Sequence, residues 1–152
     1  MTVHHILKVK GDVPVITIAP TASLAEAAVL LSVRRIGAVV VSADGQTVLG
    51  ILSERDIVRE LGKRGAGCLS DPVQAVMTAK IMSCARSDSS DLVMQMMTDG
   101  RFRHMPVMEN GLMVGFISIG DVVKSRLSEL NMEKDALTGM IMGQLMPLHS
   151  AV

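Results

Sequence analysis

The sequence predicts an α+β protein made of two copies of one unit, each read as β-α-β-β-α. Three observations predict it. A short phrase occurs twice: Gly50-Ile-Leu-Ser53-Glu-Arg-Asp56 returns as Gly115-Phe-Ile-Ser118-Ile-Gly-Asp121, with glycine, serine and aspartate each 65 positions apart. A period of that size marks two copies of a supersecondary unit. Upstream the separation is 66, from Thr17 to Ser83 and from Val41 to Val107. One residue has therefore been lost in a hairpin loop, where a change of length costs least. Each copy also carries short apolar runs bracketed by helix-start and turn signals.

Residues 1–14 form a lead-in, in which Ile6-Leu7-Lys8 predicts a short helical turn stopped at Gly11. The first repeat spans 15–65. Val15-Ile-Thr17-Ile18 reads as a β-run ended by Pro20. Ser23, with Glu26 three residues on, is a capping box. It opens a helix from Leu24 to about Val33 that places Leu24, Ala27, Ala28 and Leu31 on one face. Gly37 precedes Ala38-Val-Val-Val41, a buried-strand pattern. Ala43-Asp44-Gly45-Gln46 predicts a hairpin turn, and Val48 to Leu52 the returning strand. Ser53 opens a second helix to about Leu61, with Gly62 as its stop.

A linker follows at 66–76, with a short helix expected from Val73 to Met77. The second repeat spans 77–127. Lys80 to Cys84 stands where the first strand stood. Ser89 or Ser90 caps a helix from Asp91 to Thr98, with Val93, Met94 and Met97 on its face. Met105-Pro-Val107 is the middle strand, Glu109-Asn110-Gly111 the turn, and Leu112 to Ser118 the returning strand. Asp121 to Lys124 continues as helix. The tail, 128–152, continues a stripe of Leu127, Leu130, Leu137 and Ile141, with Lys134 on it, which predicts a helix packed on its own domain or on a second subunit.

Composition narrows the function classes. The 152 residues are 49% apolar and carry 15 basic and 15 acidic side chains, a net charge of zero. A nucleic-acid binder carries a basic excess, so no nucleic-acid partner is expected. No apolar run is long enough to span a bilayer. Met1-Thr-Val-His-His-Ile lacks a signal peptide's charged start, so a cytoplasmic location and no membrane partner are expected. Cys68 and Cys84 have no metal spacing and read as reduced structural thiols. Phe102 and Phe116 are the only aromatic rings among Phe, Tyr and Trp, so a bound base must sit mostly between aliphatic side chains. The 13 methionines read chiefly as core filler, with Met94, Met97 and Met105 as candidates for a pocket wall.

The repeated phrase has a chemistry of its own. The first turn of a helix leaves amides unpaired and a partial positive charge, which suits an anion. The Ser53 hydroxyl adds a donor for a phosphate oxygen. One turn on, Asp56 offers two acceptor oxygens that match the adjacent hydroxyls of a ribose. Gly50 lets the strand backbone approach something closely. The same holds for Ser118, Asp121 and Gly115. Ser-x-x-Asp is equally the spacing of a capping box, in which the acid bonds only its own backbone. Arg55, Arg101 and Arg103 can add charge-assisted bonds to a phosphate. His104 lacks a second ligand at metal spacing, and His4-His5 reads as a solvated end. No G-x-S-x-G, H-E-x-x-H or P-loop pattern is present, so no enzyme is expected.

The paired unit, with Gly-h-h-[Ser/Thr]-x-x-Asp closing each half, resembles the cystathionine-β-synthase (CBS) domain family, and the whole resembles a tandem CBS pair, or Bateman module. The likeness covers about residues 10–127. Its further phrases are Val15-Ile-Thr17-Ile-Ala-Pro20, Ile36-Gly37-Ala38-Val39-Val-Val41, Ala75-Val-Met77-Thr78 and Arg103-His104-Met105-Pro106-Val107. The resemblance implies two βαββα repeats packed sheet to sheet about a pseudo-twofold axis, with two clefts between them. It implies phosphate at Ser53 and Ser118, and ribose hydroxyls at Asp56 and Asp121. Thr17 and Ser83 would line the clefts, and backbone groups at Ala38–Val39 and His104–Met105 would read the base. The second copy has Arg86 where the first has Pro20, which puts the exit of its first strand in question.

The function so implied is a non-catalytic sensor binding an adenine nucleotide: AMP first, with ADP, ATP or NAD(H) as options. A homodimer and a separate regulated enzyme or transporter would be its partners. The alternatives are an S-adenosylmethionine-type ligand and a ligand-free dimerisation scaffold.

Overall fold

The computed structural model describes residues 1–11 and 13–150, with side-chain surroundings up to residue 141. The last two residues of the predicted tail lie outside it. Helix α1 spans Val3–Lys10 and closes at Gly11, whose φ of 84° the glycine makes accessible. Strand β1 (Thr17–Ile18) pairs in parallel with β2 (Ala38–Val41), which pairs antiparallel with β3 (Gly50–Ser53). Helix α2 (Leu24–Arg34) lies between β1 and β2 and carries the predicted capping box, Glu26 N–H to Ser23 Oγ at 3.1 Å and Ser23 N–H to Glu26 Oε2 at 3.2 Å. Helix α3 (Glu54–Arg64) follows β3. Two short 3₁₀ turns, Gly65–Ser70 and Val73–Ala75, make the connection.

In the second half, α4 (Ser90–Gly100) is capped by Ser89, β4 (His104–Glu109) and β5 (Leu112–Ser118) form a hairpin, and α5 runs from Ile119 to Ser150.

Four details depart from the sequence reading. The run from Val15 is a strand only at Thr17–Ile18. The Asp44-Gly45 loop is wider than a two-residue turn, because the Asp44 carboxylate gathers the amides of Gln46 and Thr47 and the hydroxyls of Ser42 and Thr47. The tight turn is at Asn110-Gly111, where both residues have positive φ, 53° and 78°, the geometry that suits a twisted hairpin. Helix α3 passes through Gly62 and stops at Gly65 (φ 70°). Lys80 to Cys84 is not a strand. Only Cys84 bridges Val107, because Thr78 upstream is bonded in both directions to Ile51 of the first half, at 2.9 and 3.0 Å.

Two cores result. Leu24, Ala27, Leu31, Val39, Val41, Leu52 and Ile57 form the first, and Val93, Met97, Met105, Val107, Ile117 and Val122 the second. Each is completed by chain that leads into the other half. Val3 and Ile6 of α1 are fully buried in the second core, while Cys68, Val73 and Val76 are buried in the first. Burying each such side chain contributes about 1.5–3 kcal/mol.

The same three backbone bonds anchor both segments. Val3, His4 and Ser90 bond Asp88, Arg86 and Met1 at 2.9, 3.0 and 2.9 Å; Val73, Gln74 and Leu24 bond Ala22, Pro20 and Asp71 at 2.7, 3.1 and 2.9 Å. Arg86 thus does with its carbonyl what Pro20 does, while its guanidinium lies 3.4 Å from His4 Nδ1 and 3.7 Å from the Glu109 carboxylate. Buried Cys84 also caps the second core, and burial, with Asp88 nearby, pushes its thiol up to about 12.

Gly50 and Gly115 make these crossings possible. A Cβ on Gly50 would lie 2.6 Å from the Met77 sulfur and 2.8 Å from the Thr78 carbonyl oxygen; one on Gly115 would lie 2.8 Å from Leu7. Gly50→Ala therefore destabilises the chain by about 1–3 kcal/mol. Gly62→Ala, inside α3 with open space around it, stabilises by about 0.5–1 kcal/mol. Urea denaturation midpoints moving in opposite directions confirm the pair; a neutral Gly50→Ala refutes the close crossing.

Candidate functional site

Two clefts open between the halves, of about 620 and about 370 Å³, within the size range of ligand sites. Each contains one strand-to-helix corner and faces residues of the other half.

The smaller cleft holds the Ser53 corner. Asp56 is nearly fully buried. Its Oδ2 accepts from the Ser53 amide at 2.9 Å and the Ser53 hydroxyl at 3.1 Å, its Oδ1 accepts from Arg59 at 2.7 Å, and its own amide donates to Ser53 Oγ at 3.3 Å. The cleft's cations are Arg55, Arg59, Lys80, Arg101 and Arg103, against Glu54 and Asp56.

The larger cleft holds the Ser118 corner. Asp121 Oδ2 accepts from the Ser118 amide at 2.9 Å, and the Asp121 amide donates to Ser118 Oγ at 3.1 Å. The same Oδ2 accepts from Lys10 Nζ at 2.9 Å, and Lys10 also donates to the Phe116 carbonyl at 2.6 Å. Burial alone would raise the Asp121 carboxyl, but the Ser118 amide and the Lys10 ammonium outweigh it and hold it below the ordinary carboxylate range. Among the described residues, Lys8, Lys10, Arg35 and Arg86 line this cleft against the carboxylate of Asp121. A chain of zero net charge thus concentrates cations at both openings.

The capping geometry weighed at the sequence level is present in both corners, and both clefts are open beside it. Of the predicted residues, Ser53, Arg55, Asp56, Arg101 and Arg103 meet in the smaller cleft, and Ala38, Ser118 and Asp121 in the larger. Gly37 and His104 border both.

Thr17 and Ser83 do not line either cleft; Val15 and Ile16 line the larger one, and Ile81 and Met82 the smaller. Val39, Met105 and Pro106 are buried in the strands, and Met97 is core. Met94 packs against the second core rather than a cleft. Lys8, Lys10, Arg35, Arg59 and Lys80 went unread in the sequence. Among the described residues, no group of three His, Cys, Asp or Glu is placed to hold a metal, and no helix is long and apolar enough to cross a membrane.

His104 stacks on Phe116, with ring centroids 5.6 Å apart and planes 16° apart. Burial first, then Lys10 and Arg103, lower its pKa, against the opposing pull of Asp121 and Glu54. A lowered value means the fold prefers the neutral ring. The stability this contributes is complete above the unfolded pKa of about 6.5, and is lost as the pH falls through the folded value. His104→Gln removes that component: the difference between wild-type and variant unfolding free energies shrinks on going from pH 7.5 to 5. A difference independent of pH would contradict the neutral assignment.

The CBS domain family model matches residues 9–63 and 73–128. A mitochondrial CBS domain-containing protein of Arabidopsis thaliana is 36% identical over 114 residues, 72% of this chain and 55% of that protein, so the chain spans about half the length of that curated relative. A CBS-domain containing protein of Agrobacterium tumefaciens has a crystal structure that superposes with a TM-score of 0.79 at 45% identity, covering 83% of this chain and 99% of the other. A CBS domain protein of Pyrobaculum aerophilum, solved in complex with AMP, superposes with a TM-score of 0.69 at 26% identity, covering 80% and 89%. With the two-repeat architecture and the C-terminal helix in place, this chain belongs to the CBS domain family, as a tandem pair of repeats.

Proposed function

We propose that the chain is a non-catalytic regulatory module that binds adenine nucleotides, AMP foremost, in the two clefts. The observation that carries this reading is the pairing of a helix start and a buried or half-buried carboxylate with a local excess of cations, twice, in a chain of zero net charge. The AMP complex of the Pyrobaculum relative supports the choice of ligand. Phosphate is held by the amides at the start of α3 or α5, by the serine hydroxyl, and by the arginines and lysines around it. The carboxylate takes the ribose hydroxyls. The base lies between aliphatic walls near Gly37 and His104, with backbone groups beside them reading its edge. The larger cleft has room for an extended ligand such as ATP or NAD(H).

Binding between the halves favours the packing of the two repeats that fits the ligand, and the response is limited by the difference in affinity between packings. A regulated enzyme or transporter would read that packing. A homodimer fits the exposed stripe of Leu127, Leu130, Leu137 and Ile141 along α5.

Thermal unfolding with AMP, ADP, ATP, NAD, NADH and S-adenosylmethionine tests the reading. A nucleotide at ~100 times its dissociation constant stabilises by ~2.7 kcal/mol. Asp56→Asn and Asp121→Asn each weaken that nucleotide at its own cleft while the fold persists. A shift with S-adenosylmethionine alone replaces the ligand, and no shift with any compound leaves a scaffold.

A further inference from the structure

The structure brings a pair of corresponding lysines, one to each cleft, by the same route. Val3, Ile6 and Leu7 of the first lead-in correspond to Val73, Val76 and Met77 of the second: the first two of each set are buried in the core of the opposite half, and Leu7 and Met77 approach Gly115 and Gly50. Carried three residues further, the same correspondence pairs Lys10 with Lys80. Lys10 lines the Asp121 cleft and Lys80 the Asp56 cleft. Their bonding differs. Lys10 is clamped between Asp121 Oδ2 and the Phe116 carbonyl, with side-chain exposures of 27% for Lys10 and 22% for Asp121. Lys80 makes no hydrogen bond or ion pair among the described residues.

We propose that Lys10 selects for a phosphorylated ligand in the larger cleft by exchanging partners. This rests on the nucleotide reading above. A carboxylate oxygen offers two lone pairs, and both on Asp121 Oδ2 are taken, by the Ser118 amide and by Lys10. A diol can engage both oxygens of Asp121 only when Lys10 leaves. A nucleoside that displaces Lys10 strands a half-buried ammonium. A nucleotide supplies the anion that receives it. The ammonium thus penalises adenosine and rewards AMP. In the smaller cleft the second position on Asp56 Oδ2 is filled by the neutral Ser53 hydroxyl, which turns away at little cost, and Arg59 takes only one position on Oδ1, so a diol can reach both oxygens without displacing a cation. There Lys80 adds attraction for phosphate and competes with nothing.

Two-dimensional NMR titration with adenosine and with AMP reads the clefts separately, through the Ser118 and Gly120 amides for the larger and the Ser53 and Arg55 amides for the smaller. In Lys10→Met, adenosine binds the larger cleft about tenfold more tightly, AMP binds more weakly, and the preference for AMP falls by about 100-fold. Lys10→Arg restores that preference. In Lys80→Met, AMP weakens at the smaller cleft while adenosine stays unchanged. If Lys10→Met leaves adenosine unchanged or weakens it, while AMP still binds, the exchange is refuted and the nucleotide reading stands. If neither compound perturbs the amides of either cleft in the wild-type chain, both fall.

Discussion

The fold depends on an exchange of chain between its halves. Neither repeat closes its own core. The segment that precedes each repeat crosses to the other half, buries two aliphatic side chains there, and is held by three backbone hydrogen bonds that recur in both copies. The crossing is tight enough that one position in each returning strand must have no side chain, which explains Gly50 and Gly115. The clefts are a consequence of the same exchange. Their walls are made where a crossing segment of one half runs beside the strand-to-helix corner of the other. A change in how the halves pack must therefore move the walls of both clefts.

On the proposed function, the corners serve two ends with one set of atoms. In the structure the serine and aspartate complete a reciprocal cap, which satisfies amides that would otherwise be bare at the start of α3 and α5. A cap contributes only about 1 kcal/mol, so its bonds are easily exchanged for those of a ligand with matching groups. The cation excess around each corner would repel itself in a closed interior. It persists because the clefts are open to solvent and because Asp121, Asp56 and Glu54 offset part of it. An anion entering either cleft relieves that repulsion as well as adding bonds.

Much of this was legible in the sequence, because repetition multiplies weak signals. One Ser-x-x-Asp is ambiguous; two, each three residues after a glycine and at the end of an apolar run, define the corner, and the capping box at Ser23 and Glu26 follows from spacing alone. Gly50 was rightly read as a place of close approach, although what approaches is the chain itself. Other features were not legible. Gly62 looks like a helix stop, but nothing crowds it and α3 continues through it to Arg64, with Gly65 as its cap. The strand expected at Lys80 to Cys84 is lost because tertiary pairing of Thr78 with Ile51 redirects the backbone. Strand propensity cannot foresee that. The lead-ins correspond at a spacing of 70 rather than the 65 or 66 of the repeats, so the repeat alignment does not match Lys10 with Lys80.

The two halves have the same plan but not the same chemistry. In the first half the position next to Gly37 is Ala38, whereas its counterpart in the second is His104, which stacks on Phe116 and borders both clefts. Arg86 keeps the backbone bond of Pro20 and adds a guanidinium to the larger cleft only. Asp56 is sealed by its own helix through Arg59, whereas Asp121 is held by a lysine from α1, distant in sequence. The same carboxylate is thus tied within its own helix in one half and to a side chain from another element in the other. Symmetry supplies two sites of one shape. On the proposed function, the departures from symmetry make them answer differently to a molecule that offers charge and to one that does not.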